Sequence, residues 1–244
     1  MQISSYFSNL EAVLRQVNRT QYPAIARAAD CLARCLERGG MLYAFGTGHS
    51  NLLAMELFYR AGGLVRVYPL FDEDMLLYKS ASASSQYERR SGIAAGLIAR
   101  CDLDEDDILL VISNSGRNCM PVEAALAAKQ RGAPVIALTN MRHEMSVRPN
   151  NPYGKMLHEV ADIVLDNCGV PGDAVLESKD LNVRFAPTST AAGTAILWEM
   201  IRIAIEKMLL QGIKPEVFVS ANLEGGDTFN AALIEKYRSR IPCL

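Results

Sequence analysis

The chain has 244 residues, half of them hydrophobic, and a formal net charge of −2 from 25 basic and 27 acidic residues. This length and hydrophobic content can bury one large α/β core, so we expect a single domain. The balanced charge argues against a nucleic-acid partner, and no apolar run approaches the roughly 20 residues that cross a bilayer, so we predict a cytoplasmic protein without membrane contact.

Two amphipathic helices are predicted at the start of the chain. Apolar residues in 6–17 fall on one helical face, and a second pattern of this kind follows in 25–36. Gly39 and Gly40 end the second helix.

Strand and helix patterns alternate from residue 41 onward. Short apolar runs predict strands at 41–45, 64–70, 108–112, 134–138 and 163–165. Helical patterns are predicted at 51–61, 122–131, 194–210 and 228–239. Another helix is predicted after the polar stretch at 79–91 and ends at about residue 99. Five strands separated by helices predict an α/β fold, a doubly wound five-stranded parallel sheet with helices on both faces.

The strand at 108–112 ends in a polar loop. Its run of apolar residues stops at Ser113-Asn114-Ser115-Gly116, and Asn118 follows just before a helical stretch. A helix N-terminus presents unpaired N–H groups and the positive end of a dipole, so this junction predicts an anion site of the phosphate type. The alternative is a plain helix cap followed by a turn.

The first strand ends in a second loop of this kind, Gly46-Thr47-Gly48-His49-Ser50. Glycines let the backbone approach a ligand closely, and Thr47 and Ser50 can donate to an anionic oxygen. The loop lacks the third glycine of a dinucleotide fingerprint and the lysine of a nucleotide P-loop. The alternative is a tight turn between strand and helix.

Two further polar segments stand at strand ends or helix starts. Thr139 and Asn140 close the fourth strand, and Ser189 and Thr190 precede the long helix at 194–210. In open parallel sheets, ligands bind beyond the carboxyl ends of the strands, near the point where the strand order reverses. We therefore expect these loops to share one pocket.

These segments resemble the sugar isomerase (SIS) domain family. The matching pieces are GTGHS, the block ISNSGRNCMPVEAALAAKQRGAPVIALTN and PTSTAAGTA, which together span about 41–210. The two leading helices resemble the subgroup of phosphoheptose isomerases and a replication initiation factor. The stretches MELFYRAGG and DNCGVPGDA resemble an uncharacterised branch of single-domain sugar isomerase-like proteins.

The resemblance implies a flavodoxin-like three-layer αβα sandwich that binds phosphosugars, usually as a dimer or tetramer. We accordingly divide the chain, as a single SIS domain, into an N-terminal helical extension (1–40), an αβα core (41–211) and a C-terminal helical segment (212–244). We expect a homodimer as the minimum assembly, with the first two helices and the last one packing against the second copy.

The resemblance also implies roles for the polar loops. Ser113, Ser115 and Asn118 would hold the phosphate, with Ser50 and Ser189 or Thr190 closing around the sugar. Asn118 stands where the family usually has threonine or serine, which weakens that one contact.

Aldose–ketose isomerisation needs an acid and a base near these loops. The candidates are Glu56, His49 and Asp173. Their alternatives are, in the same order, a surface carboxylate paired with Arg60, a capping or packing histidine, and a turn aspartate. The catalytic glutamate and histidine of phosphoheptose isomerases fall at Arg60 and Ile201, so this chain would need other residues for that chemistry.

The sequence thus predicts a phosphosugar-binding protein, acting as an isomerase of an aldose, ketose or amino-sugar phosphate. The alternative is a non-catalytic phosphosugar-binding or protein-interaction factor of the same fold. The six cysteines form no CxxC pair, which indicates reduced thiols, and nothing in the sequence requires a metal or another cofactor.

Overall fold

Uninterrupted apolar runs form the centre of the molecule, because strands covered on both faces need no polar side. The structure, a computed structural model, describes residues 5–244. Its parallel sheet has the order β2-β1-β3-β4-β5, which is that of flavodoxin-like folds and confirms the predicted class. The strands are β1 (Leu42–Gly46), β2 (Val67–Leu70), β3 (Ile108–Ile112), β4 (Val135–Thr139) and β5 (Ile163–Asp166).

Helices cover both faces of this sheet. They are α1 (Tyr6–Thr20), α2 (Tyr22–Glu37), α3 (Asn51–Leu57), α4 (Ala81–Tyr87), α5 (Ile93–Ala99), α6 (Cys119–Gln130), α7 (Met141–Glu144), α8 (Ser189–Leu210) and α9 (Gly226–Tyr237). Successive strand residues point to opposite faces. Leu42 and Ala44 accordingly pack in the core with α2, α3 and α8, whereas Tyr43 and Phe45 pack in the core with α5 and α6.

An antiparallel hairpin that was not predicted from the sequence lies outside the main sheet. Its strands are β6 (Ala174–Ser178) and β7 (Leu181–Pro187), and Ala174 pairs with Pro187 at its base. The Tyr6 hydroxyl of α1 donates to the Pro187 carbonyl oxygen at 2.9 Å. The hairpin therefore connects β5 to α8 while resting on the first helix.

The predicted helix at 51–61 is wrong beyond Leu57. Phe58 is extended and Tyr59 has a φ of +48°, so the helical backbone cannot continue. The chain after it bonds to a distant segment instead: the Gly62 amide donates to the Phe218 carbonyl at 2.7 Å, and Leu64 forms an isolated bridge with Val217. For the same reason the second strand begins at 67 and not at 64.

Other boundaries also differ from the prediction. The polar stretch at 79–91 contains the short helix α4, whose start is capped by the Ser80 hydroxyl. Helix α6 begins at Cys119 and helix α8 at Ser189, three and five residues before their predicted starts. The residues just before each predicted helix therefore belong to its first turn, with Ser189 and Thr190 among them in α8.

Between residues 5 and 244, the structure contains no helix of the length and apolarity needed to cross a bilayer.

Candidate functional site

A cavity of about 220 Å³ opens beyond the carboxyl ends of the strands. It lies beside the junction of β1 and β3, where the strand order reverses, which is where open α/β sheets bind ligands. Its volume is below the roughly 300–1,000 Å³ typical of sites for drug-sized ligands. The space therefore suits a smaller molecule.

The structure brings six of the predicted site residues to this cavity: His49, Ser50, Asn114, Asp173, Ser189 and Thr190. Asn167 lines it as well and was not predicted, although it directly follows β5 as the other polar loops follow their strands. The position of these side chains is observed, and their roles stay predictions. No arginine or lysine of the described chain lines the cavity.

The loop after β1 folds back tightly on itself. A Cβ at Gly46 would lie 2.6 Å from the Ser50 carbonyl oxygen, and Gly48 has a φ of +55°, so both positions favour glycine. Thr47 is buried and does not line the cavity, while the short 3-10 turn at Gly48–Ser50 carries His49 and Ser50 to it. The glycines thus serve the shape of the loop.

Asp173 occupies the N-terminus of α8. Its carboxylate accepts hydrogen bonds from the backbone amides of Thr188 at 3.1 Å and Ser189 at 2.8 Å, and from the Ser189 hydroxyl at 2.5 Å. These amides belong to the helix end that would otherwise attract an external anion. The start of α8 is therefore already neutralised by the protein's own carboxylate.

The serine loop after β3 forms a hydrogen bond within itself, and most of its residues do not reach the cavity. The Ser113 hydroxyl is buried and accepts from the Gly116 amide at 3.2 Å, and Gly116 has a φ of +57°. Ser113, Ser115 and Gly116 do not line the cavity, so Asn114 is the residue of this loop that reaches it. The predicted phosphate contacts of the two serines remain untested.

Glu88 covers the first turn of α6. Its carboxylate accepts from the Asn118 side-chain amide, and its backbone carbonyl accepts from the Met120 amide at 3.0 Å. Asn118 also accepts from Asn150 at 3.2 Å, and it does not line the cavity. Asn118, a predicted phosphate contact, is thus held by Glu88 and Asn150, which are close to it in space but distant in sequence. No sequence pattern indicates this position of Glu88.

We expect Glu88→Gln to strengthen anion binding at this turn. Glutamine keeps an oxygen that can accept from Asn118 but removes a negative charge, which is worth about 1 kcal/mol for unit charges in contact in water. Calorimetry with inorganic phosphate should give a severalfold lower Kd at low salt, with a difference that shrinks as salt is added. Glu224→Gln removes a charge from an exposed loop and is the matched control. An unchanged Kd for Glu88→Gln would show that phosphate does not approach α6.

Thr139 and Asn140 are fully buried, and their side chains bond to α7 next to the site. The Thr139 hydroxyl donates to the Glu144 carboxylate, and the Asn140 oxygen caps α7 by accepting from the His143 amide at 2.9 Å. Neither residue lines the cavity. The structure therefore gives both a supporting position next to the site.

A buried carboxylate beside the serine loop was not predicted from the sequence. Glu144 packs against Gly116 and lies 2.5 Å from His158 Nδ1. Burial of a carboxylate is tolerable where hydrogen-bond partners surround it, as Thr139 and His158 do here. No motif marks this cluster, because its members come from separate loops.

Glu56 lies outside the cavity. Its Oε1 atom accepts from Trp198 Nε1 at 3.2 Å and pairs with Arg60 Nε at 3.2 Å. This is the i,i+4 surface pair that stood as the alternative to a catalytic glutamate. Trp198 belongs to α8, so the Glu56 side chain is directed toward that helix.

Cys119, at the start of α6, is a poor nucleophile. Desolvation by burial, with a smaller contribution from Glu123, raises the pKa of its thiol to about 11. The described part of the chain contains no group of three or more His, Cys, Asp or Glu side chains arranged to hold a metal ion.

Solved structures share this fold. A phosphoheptose isomerase from Francisella tularensis matches with a TM-score of 0.56 at 22% identity, covering 82% of this chain and 94% of its own. A phosphoheptose isomerase from Neisseria gonorrhoeae matches with a TM-score of 0.55 at 20% identity, covering 81% of this chain and 94% of its own. At these identities the likeness concerns the fold.

Sequence relatives cover nearly the whole chain. A UPF0309 protein from Geobacillus thermodenitrificans is 42% identical over 242 residues, which are 99% of this chain and 97% of that protein. A UPF0309 protein from Listeria innocua is 39% identical over 242 residues, 99% of this chain and 98% of its own. The family model described as the SIS domain matches residues 5–140, more than half of the chain. The chain therefore belongs to the SIS-domain family.

Proposed function

We propose that the protein binds a phosphorylated sugar in this cavity and interconverts its aldose and ketose forms. The substrate is an aldose, ketose or amino-sugar phosphate. The observation that carries the proposal is the convergence of three polar loops on one small cavity where the strand order reverses. Membership of the SIS-domain family and the likeness to proteins named as phosphoheptose isomerases support it.

Hydroxyl and amide groups suit the sugar part of such a ligand. Ser50 and Thr190 can each donate to and accept from sugar hydroxyls, and Asn114 offers a side-chain amide. The phosphate must be held without lysine or arginine from the cavity wall, hence by hydroxyls and backbone N–H groups. The Asp173 carboxylate repels it from α8, so we place the phosphate at the edge of the cavity, toward Ser115 and the first turn of α6, where the Glu88 carboxylate weakens its binding.

His49 is the residue that we assign to proton transfer. Isomerisation removes a proton from the carbon next to the carbonyl, and the carbonyl oxygen takes up a proton to give an enediol. The neighbouring hydroxyl then loses its proton while a proton returns to the former carbonyl carbon, so no atoms are lost or gained. An imidazole can accept and return a proton near neutral pH. His49 lines the cavity, and its side chain has no hydrogen-bond partner in the described chain. Asp173, already bonded to Ser189, would instead orient that hydroxyl.

A panel of ligands tests the proposal. Pentose, hexose, heptose and hexosamine phosphates would be added to the purified protein in D₂O, with binding followed by thermal shift and exchange of the proton next to the carbonyl followed by NMR. Binding with deuterium incorporation is the expected result for one member. Binding without incorporation would overturn the isomerase assignment and leave the non-catalytic alternative. No thermal shift with any member would overturn phosphosugar binding itself.

A further inference from the structure

Two asparagines form a hydrogen-bonded wall of the cavity. Asn167 is only 3% exposed, and its Nδ2 donates to Asn114 Oδ1 at 2.7 Å. Its own Oδ1 accepts from the Gly169 backbone amide at 2.9 Å. The two side chains and the amide therefore form one chain of hydrogen bonds that ends at the cavity.

This chain of bonds fixes which end of each amide faces which neighbour. A carboxamide has an acceptor oxygen and a donor nitrogen, whereas a backbone N–H can only donate. The atom of Asn167 that faces the Gly169 amide must be its oxygen, because that atom accepts a hydrogen bond. The Asn167 nitrogen therefore faces Asn114, and the Asn114 oxygen accepts from it. The Asn114 Nδ2 group is the end left over, and it has no acceptor among residues 5–244.

The surrounding backbone holds this arrangement in place. The Asn167 amide donates to the Thr139 carbonyl oxygen at 2.9 Å, which anchors the residue to the end of β4. A Cβ at Gly169 would lie 2.8 Å from Asn140 Nδ2 and 3.0 Å from Asn167 Oδ1. The close approach of these amides thus depends on a glycine there, and Asn114 Nδ2 is presented by a rigid support.

We infer that Asn114 Nδ2 is the donor to the substrate's carbonyl oxygen, and that Asn167 is the residue that positions it. The inference rests on the proposed function. The carbonyl oxygen gains negative charge when the neighbouring carbon loses its proton, and a pre-oriented donor stabilises that charge without reorganisation. A donor at this point also selects an acceptor oxygen over an ammonium group. Any amino group of the substrate must therefore lie elsewhere in the cavity.

Asn167→Asp tests this inference at nearly constant shape. The aspartate can still accept from Gly169 but can no longer donate, so Asn114 should rotate to donate its Nδ2 to the new carboxylate and turn its oxygen to the cavity. Deuterium incorporation with the best substrate of the panel should fall by about 10²-fold or more. The Kd for inorganic phosphate should rise by no more than severalfold, since the phosphate is held toward α6 and only the added negative charge acts on it.

An NMR measurement decides the orientation without any sugar. The side-chain NH₂ signal of Asn114, identified by its loss in Asn114→Asp, should exchange quickly with solvent in the natural chain and slowly in Asn167→Asp. Asn222→Asp adds the same charge on an exposed loop and should change neither exchange nor turnover. An Asn114 signal that exchanges alike in both proteins, or full turnover by a folded Asn167→Asp protein, would overturn the inference. Failure of every sugar phosphate to bind the natural chain would instead overturn the proposed function.

Discussion

His49→Gln is expected to abolish deuterium incorporation into the substrate while leaving its binding intact. Proton transfer by a positioned side chain contributes about 10²–10⁴-fold to a rate, and glutamine can fill the same space without taking a proton at neutral pH. The turn that carries residue 49 is shaped by Gly46 and Gly48, so the substitution should not move the loop. The measurements are the NMR exchange rate and the Kd by calorimetry, made on the same samples.

His143→Gln is the matched control for this experiment. His143 does not line the cavity, and its Nδ1 accepts from the Gly172 amide at 3.0 Å, a bond that a glutamine oxygen can also make. Exchange should therefore persist in this variant. Full exchange in His49→Gln would show that another group moves the proton, and equal losses in both variants would indicate a general disturbance of the loops.

Gly116→Ala should lower the free energy of unfolding by about 2–5 kcal/mol. The left-handed backbone at φ +57° costs an alanine about 1–2 kcal/mol. The added methyl would also overlap the buried Glu144 carboxylate, and overpacking of this kind typically costs about 1–3 kcal/mol. Urea unfolding of the purified variant measures the sum.

Gly154→Ala separates the two contributions. Gly154 has a φ of +62°, close to that of Gly116, but nothing lies within 4 Å of a Cβ placed there. This variant should therefore lose only the backbone contribution of about 1–2 kcal/mol. Equal losses at the two positions would mean that the serine loop does not press against Glu144.

The central sheet could be predicted because its strands are unbroken apolar runs. Such runs require burial on both faces, which a parallel sheet between two helix layers provides. The hairpin was not predicted, because 181–185 alternates apolar and polar residues and is not an unbroken apolar run. The ends of α3 and β2 depend on pairing with 216–218, a contact between distant segments that no local pattern encodes.

The position of the candidate site could be predicted from the sequence, but most of its side-chain contacts could not. Strand ends locate His49, Ser50 and Asn114, because the carboxyl ends of parallel strands share one edge. Which side chains turn inward depends on tertiary partners, as with Ser113, whose hydroxyl bonds to its own loop, and Glu56, which is held by Trp198. Those partners could not be derived from residue spacing alone.

The Asp173 carboxylate has a consequence for the hairpin as well as for α8. Asp173 immediately precedes β6, and the amides it binds immediately follow β7, so the bond closes the two-stranded loop at its base. Its tip, near Lys179 and Asp180, is exposed and lies at the far end of the hairpin from the cavity. A fluorescent label or an affinity peptide inserted at this tip would extend into solvent while the clamped base keeps the ligand-facing wall unchanged.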